Sequence, residues 1–300
     1  MDKVVDGGSV LADPVLYASL QSTIRHYLSG YLHQFLITYS EGLLPVPLAL
    51  ESMWHVLNVP CCSGDWVCDM AYQNPLIELV GIDPDRRRIT FAQAQAATQG
   101  ITNATFLVGN LESLAPPDQY YDLVHIRFLA GLVRQEAWEQ VSAGWWKLCR
   151  PGGLIMWTEM CIPVTNSPAF TEWCALLAES LEQEGVVSNI TPCMPQLLTR
   201  FQNVQQVLTT IDISSNTRLH KHVCMHIWDI LNFVHCTLLF SHVASASTLH
   251  DLYEQMIQDI LSDQFQGSWT FQTYLGTKES SKQNAERSSL ILKKLSEERF

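Results

Sequence analysis

The stretch "VLNVPCCSGDW", Val56 to Trp66, is short of glycine: Gly64 stands alone in a turn of small residues between an apolar strand and a helix-like run. Other shortages bound the chain as a whole. Charged residues make up only 16% of it and hydrophobic residues 47%, which excludes a disordered chain and supplies a sizeable core. Base is scarcer than acid, 18 Lys and Arg against 30 Asp and Glu, for a net charge of -12. Such a chain repels phosphate backbones, so nucleic acid is excluded as the main partner. The one basic run before the C-terminal tail, "PDRRR" (Pro84 to Arg88), reads as a solvated helix start. No run of about 18 apolar residues escapes polar interruption, so no membrane partner is expected. The N-terminal "MDKVVDGGSVLADP" lacks an apolar core of signal-peptide length. Nine cysteines without a CxxC pair then point to a reducing, cytoplasmic setting, free thiols and no disulfide framework.

Three hundred residues fit one large domain, or one domain with a lid. No internal repeat is visible. Residues 15–39 carry apolar and aromatic side chains at roughly helical spacing, and Gly42, Pro45 and Pro47 end that pattern. From residue 55 apolar strands alternate with helical stretches. The strands read as 55–60, 76–83, 104–110, 121–128 and 154–159, and the helices between them as 64–74, 86–100 and 135–150. That alternation implies right-handed crossovers and a mostly parallel sheet. Later come a helix over 167–185 with Ser167 as N-cap, a short helix over 194–201 and a strand over 204–213. Residues 217–262 are mostly helical and 268–276 form a closing strand, for seven strands in all. From Thr277 the chain turns polar and charged.

Ligands of an open parallel sheet sit at the carboxyl ends of its strands. Those ends are occupied by Asn58, Pro60, Cys61, Cys62, Ser63 and Gly64, then Asp83, then Gly109, Asn110 and Leu111, then Arg127 and Phe128, then Glu159. A carboxylate at the tip of strand two can accept hydrogen bonds from ribose hydroxyls. An amide after strand three can read an adenine edge, and a small-residue loop after strand one lets a ligand approach the backbone.

Four ordered motifs make the likeness specific. "VLNVPCCSGDW", "LVGIDPD", "FLVGNLESLAPPDQYYDLVHIRFL" and "LCRPGGLIMWTE" follow one another with matching spacing from Val56 to Glu159. This run resembles the core of class I S-adenosylmethionine-dependent methyltransferases, and "TNSPAF" with "ITPCMPQLL" is similar to a bacterial small-molecule subgroup with a helical lid. The resemblance implies a Rossmann-like α/β fold with helices on both faces of a seven-stranded sheet, plus N-terminal helices and a helical cap. It divides the chain into an N-terminal segment over the cofactor site (1–50), a core (51–213), a cap (214–266), a closing strand (267–276) and a charged tail (277–300). It implies S-adenosylmethionine as cofactor, held by Asn58, Pro60, Cys61, Gly64, Asp83, Pro84, Asn110, Leu111, Arg127 and Gln34. It also implies methyl transfer to a hydrophobic small molecule at oxygen, nitrogen or carbon, as in small-molecule biosynthesis.

The departures lie in the first motif. Asn58 stands where the family has an acidic residue, Pro60 and Cys62 where it has its first two loop glycines, and Asn110 where it has Asp after strand three. Pro60 removes a backbone donor, and Cys62 adds bulk along the ligand's path. Two other readings therefore stay open: a protein of this fold that catalyses a non-methylating step such as cyclisation, and a non-catalytic binding protein.

His125, Glu159 and Tyr31 are the candidate catalytic groups, with no residue type demanded by an in-line methyl displacement. Tyr31, Gln34 and Tyr39 are candidates to touch cofactor or substrate from the N-terminal segment. His222 and His226 share a helix face at zinc spacing but lack a third ligand, so no metal is expected. Trp145, Trp146 and Trp157 are expected in the core, and Trp173, Trp228 and Phe233 in the cap, shaping an apolar pocket. Monomer and homodimer both stay open.

Overall fold

The computed structural model describes residues 30–39, 42–110, 119–217, 220–241 and 243–280. β1 (His55–Asn58), β2 (Glu78–Asp83), β3 (Ala104–Val108), β4 (Tyr121–Arg127) and β5 (Cys149–Met160) lie parallel in the order β3-β2-β1-β4-β5. The Val-, Leu- and Ile-rich runs of β1 and β4 at the centre of the sheet are buried on both faces, whereas the edge strand β3 is largely exposed. β8 (Gly267–Thr277) joins antiparallel beside β5, carrying β6 (Val164–Thr165) beyond β5 on one edge and β7 (Gln202–Asp212) on the other. The sheet thus has eight strands, not seven. The extra one, β6, is two residues long beside Pro163, too short to show a period of its own.

Helices cover both faces. Residues 30–39 form α1; then follow α2 (Asp65–Gln73), α3 (Arg86–Thr98), α4 (Trp138–Leu148), α5 (Pro168–Gln183), α6 (Met194–Leu197), α7 (His220–Ser241) and α8 (Ala246–Leu261). Ser167 caps α5 as expected, its hydroxyl accepting from the Phe170 amide at 3.1 Å. One core layer packs Trp138, Trp145 and Trp157 together, with ring centroids 5.0–6.5 Å apart. The opposite layer sets Trp66, Val67 and Met70 of α2 and Ile89 and Ala92 of α3 against Val56, Leu79 and Phe106. A third cluster joins Leu32 and Phe35 of α1 to Phe170 and Trp173 of α5, Ile227 and Leu231 of α7, and Trp269 and Phe271 of β8. The expected helix over 15–29 and the tail beyond 280 lie outside the described residues. Thr277 still belongs to β8, and Lys278 is buried, its Nζ donating to the carbonyls of Trp146 (2.7 Å) and Cys149 (2.8 Å) at the end of α4. That placement matches a cation to the negative end of a helix. No helix of the described residues is long and apolar enough to cross a membrane.

Gly64, the one loop glycine, is required by packing. Its φ is +84°, and a Cβ there would lie 2.6 Å from the Ala92 Cβ and 2.9 Å from Phe106 Cε1. Gly64→Ala is expected to destabilise the fold by about 2–5 kcal/mol, from backbone strain and overpacking together. Gly144→Ala, in α4 with nothing within 4 Å of the added atom, is expected to stabilise by about 0.5–1 kcal/mol. Thermal or denaturant unfolding of the two variants checks this contrast.

Candidate functional site

Strand order reverses between β1 and β4, which opens a crevice between their carboxyl ends. Among the described residues, two of the four non-glycine residues with positive φ flank it: Cys62 (φ 50°) after β1 and Phe128 (φ 54°) after β4. Such strain costs about 1–3 kcal/mol per residue and gathers where a ligand is handled. The loop is tied down through its backbone. Cys61 N donates to Ile82 O (2.8 Å), Gly64 N to Cys61 O (2.9 Å) and Cys62 N to Asp83 Oδ2 (3.0 Å). Cys61 is buried against Gly81, and burial, then the Asp83 charge, pushes its thiol well up.

Asp83 ends β2 fully buried. Its Oδ1 accepts from Asp85 N and from Arg88 Nη2, both at 2.9 Å, and its Oδ2 accepts from Cys62 N. Burial lifts the Asp83 carboxyl, while Arg88 and the two amides pull it back. Arg86 and Arg87 are exposed as expected of a solvated helix start. Arg88 corrects that reading: it is 5% exposed, with Nε and Nη1 buried and without a hydrogen-bond partner. Arg88 falls four and eight residues before the buried Ala92 and Ala96, on the inner stripe of α3. That periodicity is the signal in the sequence that marks it.

The amide of Asn58 turns onto β4, its Nδ2 donating to His125 O (3.1 Å) and lying 3.3 Å from His125 Nδ1. Burial, then Arg127 and His33, holds the pKa of His125 well below the usual histidine range. Its Nε2 has no partner, and its ring lies 4.0 Å from that of Trp66. Arg127 is drawn to α1: its Nη1 donates to His33 Nδ1 (3.2 Å), whose Nε2 donates to Asp69 Oδ2 (2.9 Å). Burial lowers Arg127 to about 10, which leaves it charged at neutral pH. This Arg127–His33–Asp69 chain spans three elements and has no local signal in the sequence.

Glu159 is buried beneath the crevice. Its Oε1 accepts from the amides of Leu129 (2.8 Å) and Ala130 (3.2 Å) and the Trp157 indole (2.8 Å), and its Oε2 has no partner. The group thus closes the turn after β4. Pro84 and Asn110 are exposed at the strand tips, Gln34 is exposed on α1, and Tyr31 and Tyr39 are half-buried in the cap cluster. Leu111 lies outside the described residues, as do the side chains of His222 and Phe233. Trp228 is 41% exposed, whereas Trp173 is buried at the cavity wall. Cys224 Sγ lies 3.2 Å from His220 Nε2, and no group of three metal-ligating side chains gathers among the described residues.

Two spaces meet at Cys62 and Phe128. The smaller, about 30 Å³, is lined by His33, Asn58, Pro60, Ser63, Asp65 and Arg127. The larger, about 230 Å³, runs from Cys62 and Arg88 under the cap, between Phe170 and Trp173 of α5 and Ile227 and Leu231 of α7. Residues 56–153 match the family model described as a methyltransferase domain.

This stretch is a class I S-adenosylmethionine-dependent methyltransferase domain.

A demethylmenaquinone methyltransferase of Anoxybacillus flavithermus (strain DSM 21510 / WK1) is 29% identical to it over 108 residues, 36% of this chain and 45% of that protein. The chain therefore spans about half the length of that curated relative. The fold resembles a candidate methyltransferase of Bacillus halodurans C-125, at 13% identity and TM-score 0.52, over 77% of this chain and 95% of that one. Phosphoethanolamine N-methyltransferase 2 of Haemonchus contortus, solved with phosphomonomethylethanolamine and S-adenosylhomocysteine, aligns at TM-score 0.48 and 13% identity, over 78% and 50%. The methyltransferase domain supplies β1 to β4 and the strand tips. The helices α5, α7 and α8 lie outside the match.

Burial lifts the Glu159 carboxyl from 4.5 to about 7, against the pull of the Trp157 indole and the two amides. The folded state therefore holds this proton more tightly than the unfolded chain. Stability attributable to the group falls as pH rises from about 4.5 to about 7. Glu159→Gln keeps an acceptor for the three donors and cannot ionise. It is expected to flatten the pH dependence of the melting temperature in that window by the equivalent of roughly 3 kcal/mol; an unchanged slope would show that Glu159 does not titrate there.

Proposed function

We propose that the chain transfers a methyl group from S-adenosylmethionine to an apolar small molecule held under the cap. One observation carries this reading: the apolar cavity is lined by Cys62 and Phe128, just after β1 and β4, and by Arg88 of α3, all within the methyltransferase domain. Asp83 is the acceptor for the ribose hydroxyls, Asn110 the partner for the adenine edge, and Arg127 the cation for the amino-acid carboxylate. When bound, the cofactor supplies an electrophilic methyl group on a cationic sulfur. The chain's own part is to orient the acceptor and exclude water, which walls of Leu32, Phe128, Phe170, Trp173 and Trp269 suit. Residues 51–213 and 267–276 make the core in this reading and 214–266 the cap, to which α5 lends Trp173.

The fit at Asp83 is conditional on Arg88. The carboxylate is sealed beneath the guanidinium, yet Arg88 is held there by one nitrogen only. In this reading the carboxylate opens to a sugar diol once the head group moves aside, and the diol takes the place of the Arg88 Nη2 donor at Asp83. At the loop, Cys62 keeps the positive φ that glycine would supply, while its side chain narrows the crevice. A second reading keeps the cavity and drops the cofactor, leaving a protein that binds an apolar ligand. The sealed Asp83 and the 30 Å³ crevice favour it.

Calorimetric titration with S-adenosylhomocysteine separates the two. Binding is expected, with Asp83→Asn weakening it by about 1–3 kcal/mol, the scale of a lost charged hydrogen bond. Cys62→Gly is expected to strengthen it by widening the crevice and relieving the left-handed backbone. Absence of heat and of any thermal stabilisation at millimolar ligand would leave the second reading in place.

A further inference from the structure

Taking the cavity as the acceptor's place, and resting on that reading, we propose that the ligand is an apolar molecule ending in a carboxylate, and that Arg88 recognises that end. The cavity wall is chemically lopsided. Its side chains are aliphatic, aromatic and sulfur-bearing apart from Ser188 and Arg88. Among the described residues Arg88 is the one charged side chain in the wall, and no Asp, Glu, His, Lys or Tyr joins it.

The guanidinium is also incomplete. It is 95% buried by its 5% exposure, and only Nη2 has a partner, Asp83. Nε lies 3.9 Å from Asp85 Oδ2, beyond hydrogen-bond reach, and Nη1 has nothing. Guanidinium carries five N–H donors, so three of them face no acceptor. Buried donors left in that state are destabilising unless something supplies the acceptors. A ribose arriving at Asp83 would release Nη2 as well and deepen the need. A carboxylate matches the planar fork with two parallel hydrogen bonds. A phosphate would bring a second negative charge, and the wall offers no second cation.

The missing base fits the same ligand. An alcohol or amine acceptor has a proton to lose, and no residue of the wall is suited to take it. A carboxylate already presents a nucleophilic lone pair. Its oxygen gains the methyl group, the donor's C–S bond breaks with the electron pair left on sulfur, and the products are a methyl ester and a neutral thioether. No proton changes hands.

The test uses the full chain and simple probes that share the carboxylate and the apolar body. Decanoate and 1-naphthoate are titrated by calorimetry, each against its alcohol, with and without saturating S-adenosylhomocysteine. Each acid is expected to bind about tenfold or more tightly than its alcohol, the scale of a charge-assisted hydrogen bond. Arg88→Gln, checked for an intact melting transition, is expected to erase that preference, and Arg88→Lys to restore part of it. Equal affinity of acid and alcohol in the unsubstituted protein overturns the proposal, and so does failure of every probe to bind. An intact acid preference without any binding of S-adenosylhomocysteine supports the role of Arg88 and overturns the methyl-transfer reading instead.

Discussion

A buried carboxylate at the end of a buried strand is the constraint around which this site is organised. Asp83 has no exposure to water, so its charge must be met by the protein or by a ligand. Three partners meet it: the Cys62 amide from the loop after β1, the Asp85 amide that opens α3, and the Arg88 guanidinium one turn along α3. These contacts lock three consecutive pieces of the fold to one another. They also fix the loop at its narrowest point, because Cys62 takes up left-handed backbone in order to donate. Removing any one of these partners would leave the buried carboxylate short of a donor.

Much of the framework is legible from residue order because buried parallel strands have little freedom in composition. "HVLN", "ELVGID", "ATFLV" and "YDLVHIR" each carry an apolar centre, and helices between them force crossovers of one hand. Placing Asp83 and Arg127 at strand ends follows directly. β6 was not legible, since two residues paired to the end of β8 carry no period. The inward turn of Arg88 was legible only to a reader who let helical periodicity outrank charge, for it lies beside two exposed arginines on the stripe that Ala92 and Ala96 continue. The contact of Arg127 with His33 joins residues 94 apart and that of His33 with Asp69 joins residues 36 apart. Neither depends on local composition, so neither could be read before the fold was known.

The cavity is built largely by elements outside the matched methyltransferase region. The matched region ends at residue 153, yet most of the cavity wall comes later, from α5, α7 and β8. Those elements pack against Leu32 and Phe35 of α1 from the other end of the chain. The matched region contributes Arg88 and the strained Cys62 and Phe128 to the wall, and α5 and α7 contribute mostly apolar side chains.

The loop after β1 separates demands that a glycine-rich motif usually hides by meeting them together. At Gly64 the demand is steric and internal: α3 and β3 approach so closely that no Cβ fits, whatever binds nearby. At Cys62 the demand is conformational, and a cysteine meets it at the cost of strain. At Pro60 the chain gives up a backbone donor altogether. Glycine stands where no Cβ fits, at Gly64, and a cysteine serves where only left-handed backbone is needed, at Cys62. A loop with a single glycine is thus compatible with the fold. Cys62 lines both the crevice and the cavity, so this one residue shapes both spaces.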